Sequence, residues 1–301
     1  MIPKSQFTGA NAAVLVGVQS GMLIAGSFVG FLYDTIGIGG ILAIDGATYF
    51  VSAFCLYQVR RGYVSPREHL RYPREYSDDT EATAEALETG ENPEVAEAGL
   101  SLAMYADLKE GFAYLKEQPL VRALGITHAT VMAGVVSANV VVVALANDIL
   151  HAGARGLGFL EAGWATGAII GGFLTSQLPS YLRMVLYVVA VAVLAVGHMG
   201  TPFVAFIAGA VLLQFIFGFC RALAGIVGQS SLMSIVPRHF MGRTQSAMAI
   251  LGTIIQLVMS FALGVVAERA GIVAGYALLA ALYAGATLSA MRARQLNRTA
   301  V

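Results

Sequence analysis

Eight long apolar runs constrain this chain more than any other feature of its sequence. They fall at residues 11–33, 38–59, 120–147, 156–178, 182–200, 203–228, 244–267 and 272–291. Because a bilayer core about 30 Å thick takes about 20 helical residues, each run is long enough to cross a membrane as a helix. Only 12% of the residues are charged, where soluble domains carry about a quarter. We therefore predict an all-α integral membrane protein with eight transmembrane helices.

The first two runs belong to a stretch that occurs twice. Residues 2–60 return as residues 236–294, displaced by 234 positions without a gap. The matched pairs include Pro3 with Pro237, Lys4 with Arg238, Gly30 with Gly264, Asp34 with Glu268, Gly37 with Gly271, Ala47 with Ala281 and Tyr49 with Tyr283. Both copies begin with a proline and a basic residue and cross a glycine-containing turn between two apolar runs. This is typical of a membrane protein with an internal, parallel repeat.

One connection differs from the short loops elsewhere. Residues 62–100 carry ten acidic residues and few apolar ones, a composition that favours a flexible tether. The following residues, 102–118, place Leu108, Phe112 and Leu115 at helical spacing, which predicts a short amphipathic helix on the membrane surface. We predict three parts: a helix pair (1–61), a cytoplasmic linker (62–118) and a six-helix bundle (119–301).

The basic residues predict the orientation. With Lys4 placed in the cytoplasm, fifteen lysines and arginines lie inside and only Arg155 and Arg269 lie outside. This bias places both termini and the linker in the cytoplasm.

Several short motifs, in order, carry a resemblance to a known family. They are 2–3 (Ile-Pro) with 11–12 (Asn-Ala), 44–48 (Ile-Asp-Gly-Ala-Thr), 108–119, 145–148 (Leu-Ala-Asn-Asp), Gly158, the glycines of 167–172, 236–237 (Val-Pro) and 242–243 (Gly-Arg). Together they resemble the major facilitator superfamily, in particular its drug and siderophore exporters such as the enterobactin exporter and macrolide efflux proteins. That family has twelve spans in two six-helix halves. The resemblance therefore implies a partial fold, a helix pair plus a complete carboxy-terminal bundle, without the first four helices.

The resemblance implies proton-coupled export of a small amphipathic molecule by alternating access, from the plasma (inner) membrane. Two alternatives remain: flipping of lysolipid or lipid, and a non-transporting, truncated membrane interaction protein that would need an oligomer or partner. The partners expected are a small-molecule substrate, a proton or another ion and the bilayer, with no nucleic acid. No phosphate-binding loop, metal-ligand cluster or activated nucleophile is visible, so we expect no enzyme activity, no cofactor and no metal.

Charged and polar residues within the spans are the candidates for substrate binding and coupling, because such groups are costly in a bilayer. They are Asp45, Glu161, Arg221, Gln214 and Asn139. Asp45 is expected either to take up a proton or to hold a helix end, and Glu161 either to carry the coupling proton or to reach water. Arg221 is predicted near the cytoplasmic face, about 27 Å from the outer end of its span, where snorkelling to lipid phosphates is the simpler role.

A second set of residues is expected to act in gating. Arg243 matches the family's basic residue before its eleventh helix and is predicted to make a cytoplasmic contact between helices. Asp148 is predicted to end the third span at the outer surface. Gly163, Gly167 and Gly171 recur every four residues and predict close helix packing, with a gating role or static packing both open.

Overall fold

The computed structural model describes residues 7–62 and 108–299, without most side chains of 7–34 and those of 59–62, 238, 239 and 299. Within these residues all regular structure is helical, and no strand occurs. Seven of the described helices are long and apolar enough to cross a membrane. The all-α membrane fold is therefore confirmed. The predicted span 11–33 lies in the part of the first helix where most side chains are not described, and nearly all of the linker lies outside the described residues.

The helices follow the apolar runs closely. They are α1 (Phe7–Gly62), α2 (residues 108–117), α3 (Pro119–Ala144), α4 (Gly153–Gln177), α5 (Ser180–Gly200), α6 (Ile207–Ile235), α7 (Arg238–Ala270) and α8 (Ile272–Thr299). A π-helical turn, Leu145–Ile149, continues α3, and a 3₁₀ turn, Thr201–Phe203, continues α5. Pro119 begins α3, and Pro237 immediately precedes α7. At the start of a helix the backbone N–H has no partner within the helix, so proline, which lacks this group, costs no hydrogen bond there.

The chain divides into two units. One consists of Met1–Asp34 and Gly111–Val301, and the other is Thr35–Glu110. In the second unit the apolar helix Thr35–Gln58 buries no residue of its most hydrophobic stretch, and Phe50 is 80% exposed. A helix satisfies its own backbone hydrogen bonds, so such a segment is stable against lipid without a protein neighbour.

Helices α3 to α8 form a bundle with its core at the centre of the first unit. Helix α3 packs on α6, α7 and α8, while α5 packs on α6 and α8. The core contains three fully buried tyrosines, Tyr187, Tyr276 and Tyr283, among leucines, valines and alanines. Short loops join consecutive helices, so neighbours in sequence run in opposite directions.

The closest helix pair is α4 with α6, and glycines are the reason. A Cβ atom at Gly163 would lie 2.8 Å from the carbonyl oxygen of Val211, and one at Gly171 would lie 2.7 Å from that of Phe219. At Gly167 the Cβ would overlap the carbonyl oxygen of Phe215. The predicted close packing of these glycines is therefore observed, with the two helices parallel and backbone against backbone.

The two copies of the repeat share an unusual backbone conformation. Helix α1 is interrupted at Gly37, with φ 62° and ψ −176°, and Gly271 joins α7 to α8 with φ 88° and ψ 166°. Only glycine adopts this region readily. The two glycines are matched under the sequence repeat, so the repeat extends to the geometry of the turn.

Candidate functional site

The bundle contains a partly open cavity of about 130 Å³, which polar side chains share with apolar ones. Five polar side chains line it: Asn139, Glu161, His198, Gln214 and Arg221. Three large aromatic side chains also line it: Trp164, Phe217 and Tyr283. Of the five residues predicted to bind substrate or couple ions, the structure thus brings four together.

Helix direction explains this convergence. The lining residues come from the C-terminal halves of α3 and α5 and from the first halves of α4, α6 and α8, up to the midpoint of α6. Because neighbouring helices are antiparallel, these halves meet at one end of the bundle. Residues that are distant in sequence therefore face a single cavity.

The predicted depth of Arg221 was wrong. Helix α6 begins at Ile207 and continues to Ile235, so Arg221 is at its midpoint, about 21 Å from either end. The sequence placed the end of this span at residue 228, because the polar residues that follow resemble a helix terminus. The side chain lines the cavity instead of reaching the membrane surface. Its Nη2 donates a hydrogen bond of 3.2 Å to the thioether sulfur of Met132.

Glu161 is the acidic residue of the cavity lining, and it is partly buried in the first half of α4. The register of α4 against α6, with Gly163 opposite Val211, puts Glu161 level with Gly209. Arg221 is twelve residues further along α6, about 18 Å at 1.5 Å per residue. This separation is too long for a direct ion pair between Glu161 and Arg221.

His198 is a cavity residue that the sequence did not single out. Its ring stacks on Phe217, with centroids 4.1 Å apart, and on Tyr283, at 5.0 Å. The Nδ1 atom is 2.7 Å from the carbonyl oxygen of Leu194, which can only accept, so Nδ1 carries a proton. The sequence signal is its helical spacing from Tyr187, Val191 and Leu194, but only the structure shows that this stripe of α5 is buried.

Two of the predicted site residues are not part of the cavity lining. Asp45 is in the unit Thr35–Glu110, where its side chain is exposed and its backbone carbonyl accepts a 2.7 Å hydrogen bond from Thr48 Oγ1. Asp148 is exposed in the π-helical turn that ends α3. Its predicted place at the end of the third span is therefore observed.

A second cavity, of about 280 Å³, lies between α3 and α7. His128, Gln245, Thr253 and Gln256 supply its polar lining. The Nδ1 atom of His128 is buried and has no hydrogen-bond partner among the described residues. Met132 lines this second cavity while its sulfur contacts Arg221, so that contact lies between the two cavities.

Of the predicted amphipathic stretch 102–118, residues 108–117 form the helix α2, and residues 102–107 lie outside the described residues. Helix α2 packs on the start of α7. The ring of Tyr114 stacks on Phe240 at 4.9 Å, and Gly111 contacts the backbone carbonyl of Arg243. Of the predicted apolar stripe, Leu115 is buried, whereas Phe112 is 41% exposed. The buried face is shifted because Gly111 permits a closer approach than Phe112 would. Arg243 thus lies at a contact between helices, with its guanidinium 6.0 Å from the centre of the Phe240 ring.

Replacing Gly111 by valine is expected to release α2 from α7. A side chain at this position would overlap the Arg243 carbonyl, and a backbone atom cannot move aside without shifting the helix. We expect amide hydrogen exchange across residues 108–117 to accelerate by about tenfold or more, because the docked helix would open more often. The matched control is Ala113→Val on the exposed face of the same helix, where exchange should stay unchanged. Unchanged exchange in Gly111→Val would contradict this account of the docking.

Apolar helices of membrane-spanning length and a polar cavity inside their bundle define a multi-pass membrane protein. The comparison with protein families adds a specific match, since the model described as Major Facilitator Superfamily matches residues 1–263. The chain belongs to this superfamily, and it is a membrane transport protein. Searches of curated proteins and of solved structures found no match.

Proposed function

We propose that this protein exports a small amphipathic molecule of the drug or siderophore type in exchange for protons, by alternating access. The observation that carries the proposal is the cavity, which is lined by an acidic group, a cation, two amides and aromatic rings within one bundle. A partly buried charged group within a membrane-spanning helix is costly and is therefore a candidate for a function. A carboxyl group that lines a transport cavity can bind a proton in one state and release it in another.

The roles follow from these positions. Glu161 carries the coupling proton, while Arg221, Gln214 and Asn139 bind the substrate. Arg243 stabilises one conformational state through the contact with α2, and Asp148 contributes a gate at the end of α3. The packed glycines, Gly163 among them, let α4 and α6 move as one body. Asp45 stays a second candidate for proton uptake.

We further propose the arrangement in the membrane. Residues 1–61 form a helix pair of the amino-terminal half, 62–118 form the cytoplasmic linker and 119–301 form the carboxy-terminal bundle. Both termini are cytoplasmic and the membrane is the plasma (inner) membrane, as the distribution of basic residues supports. The cavity then lies toward the outer end of the bundle.

Proton exchange can be measured with the full chain reconstituted into liposomes that contain the pH-sensitive dye pyranine. Ethidium, erythromycin and 2,3-dihydroxybenzoate are added outside in turn, with protein-free liposomes as the control. Exchange predicts that a transported compound raises the internal pH, because each molecule that enters releases a proton from the lumen. If compounds enter without a change in internal pH, the proposed proton coupling is wrong. If none of the compounds enters, the proposed export of amphipathic molecules is wrong.

A further inference from the structure

The guanidinium of Arg221 has hydrogen-bonding capacity that the protein leaves unused. A guanidinium carries five N–H donors and does not give up its charge. Among the described residues its only acceptor is the sulfur of Met132, which is weak. Its Nε is buried and has no hydrogen-bond partner there. Arg221 is partly buried, and a cation in such a position is costly unless hydrogen-bond acceptors or an anion lie beside it.

The titratable side chains of the cavity do not supply that anion. They are Glu161 on α4, His198 on α5, Arg221 on α6 and Tyr283 on α8, whereas α3 contributes only neutral side chains. Glu161 is about 18 Å from Arg221 along the helix register, beyond the reach of an ion pair. The part of the cavity near Arg221 therefore carries an uncompensated positive charge.

The remaining walls fit an aromatic group. Trp164 and Phe217 line the cavity, and Phe217 belongs to the stack with His198 and Tyr283. The volume of about 130 Å³ is close to that of cavities that hold one benzene ring, about 150 Å³. The cavity is thus about the size of one aromatic ring.

We propose that Arg221 binds the anionic group of the transported molecule, and that the substrates are amphipathic aromatic anions whose ring lies against Trp164 and Phe217. This inference rests on the proposed function and specifies its substrate class. A carboxylate offers two oxygens in the geometry of the guanidinium fork, which gives Arg221 acceptors for its free donors. Glu161, at the far end of the cavity, stays available for the proton.

Binding can be measured directly, because Trp164 is the single tryptophan of the chain and lines the site. The full chain in lipid nanodiscs is titrated with 4-methylbenzoate, 4-methylbenzamide, 4-methylbenzylamine and inorganic phosphate while tryptophan fluorescence is followed. The first three differ in charge at nearly constant shape. We expect the carboxylate to bind about tenfold or more tighter than the neutral amide, since hydrogen bonds to charged groups have this magnitude. An amine or amide that binds as tightly overturns the inference, and so does phosphate that binds as tightly as the carboxylate.

Variants of Arg221 test whether this residue causes the preference for the carboxylate. Arg221→Gln should weaken 4-methylbenzoate binding about tenfold or more, to the level of the amide, whereas Arg221→Lys should keep part of the preference because it keeps the charge without the fork. The matched control is Arg292→Gln, an exposed arginine on α8, which should bind like the unaltered protein. An anion preference that survives in Arg221→Gln overturns the inference.

Glu161→Gln separates this inference from the proposed function. It should keep the preference for the carboxylate while losing proton exchange in the liposome assay. Loss of the anion preference in Glu161→Gln would show that binding of the anion does not depend on Arg221 alone, and this result would overturn the inference. Failure of proton exchange in the unaltered protein, with the charge preference intact, counts against the proposed function only.

Discussion

Replacing Gly167 by alanine is expected to destabilise the bundle strongly. The added methyl group would overlap the carbonyl oxygen of Phe215 on α6, and this atom is part of a hydrogen-bonded helix backbone. This overlap can be relieved only if α6 moves away from α4. Such a movement also opens the contacts at Gly163 and Gly171. Overpacking costs about 1–3 kcal/mol and more where backbone must shift, so we expect a loss at or above the upper end of this range.

Thermal denaturation in detergent, followed as the monodisperse fraction after heating, measures this effect. The matched control is Gly285→Ala in the middle of α8, where a Cβ would meet no atom within 4 Å. Alanine is the better helix former by roughly 0.5–1 kcal/mol, so the control should be as stable as the unaltered protein or more so. Equal denaturation temperatures for the two alanine variants would show that α4 and α6 are not held by this contact.

Replacing Glu161 by glutamine is expected to abolish accumulation driven by a proton gradient. Each pH unit of gradient corresponds to about 1.4 kcal/mol, so one-for-one exchange can concentrate a substrate about tenfold per unit. Glutamine keeps the size and polarity of the side chain but cannot release a proton. The substrate should therefore still cross the membrane down its own concentration gradient. At equilibrium the ratio of its inside and outside concentrations should be about one, instead of about ten for each pH unit of gradient.

Liposomes with an imposed pH gradient and a transported compound allow both quantities to be followed. Glu117→Gln, at an exposed position near the end of α2, is the matched control and should accumulate substrate normally. A gradient-driven concentration ratio that persists in Glu161→Gln would assign the coupling proton to another group. Asp45 would then be the next residue to replace.

Most of the fold was predictable because the bilayer fixes the length of an apolar helix. The ends of helices were less predictable, and the end of α6 is an example. After residue 228 the chain contains Gln229, Ser230 and Ser231, which indicate a helix terminus, yet the helix continues to Ile235. The hydrophobicity of a helix reflects its contact with lipid. Ser230 is instead buried within the protein, so a polar residue at this position does not mark the end of the helix. Apolar content alone cannot give the end of such a helix.

The site was predictable in its composition but less so in its geometry. Four of the polar residues selected inside spans, Glu161, Arg221, Gln214 and Asn139, line one cavity, while their roles stay predictions. The same criterion also selected Asp45, which is exposed in the other unit, and missed His198 close to the end of α5. Which side of a helix faces the core depends on its neighbours, so the aromatic stack around His198 emerges only when α5, α6 and α8 are assembled.

The one-residue junction at Gly271 limits how the bundle can deform. Helix α7 ends at Ala270 and α8 begins at Ile272, so only the two dihedral angles of Gly271 separate them. The N–H of Gly271 is bonded to Ala267 and its carbonyl accepts from Ala274, which restrains both angles. Large relative displacement is therefore confined to the opposite ends of these helices, near α2 and the chain terminus. Any change in the angle between α7 and α8 must therefore pivot at Gly271, and it would displace Tyr283 on α8 relative to α7.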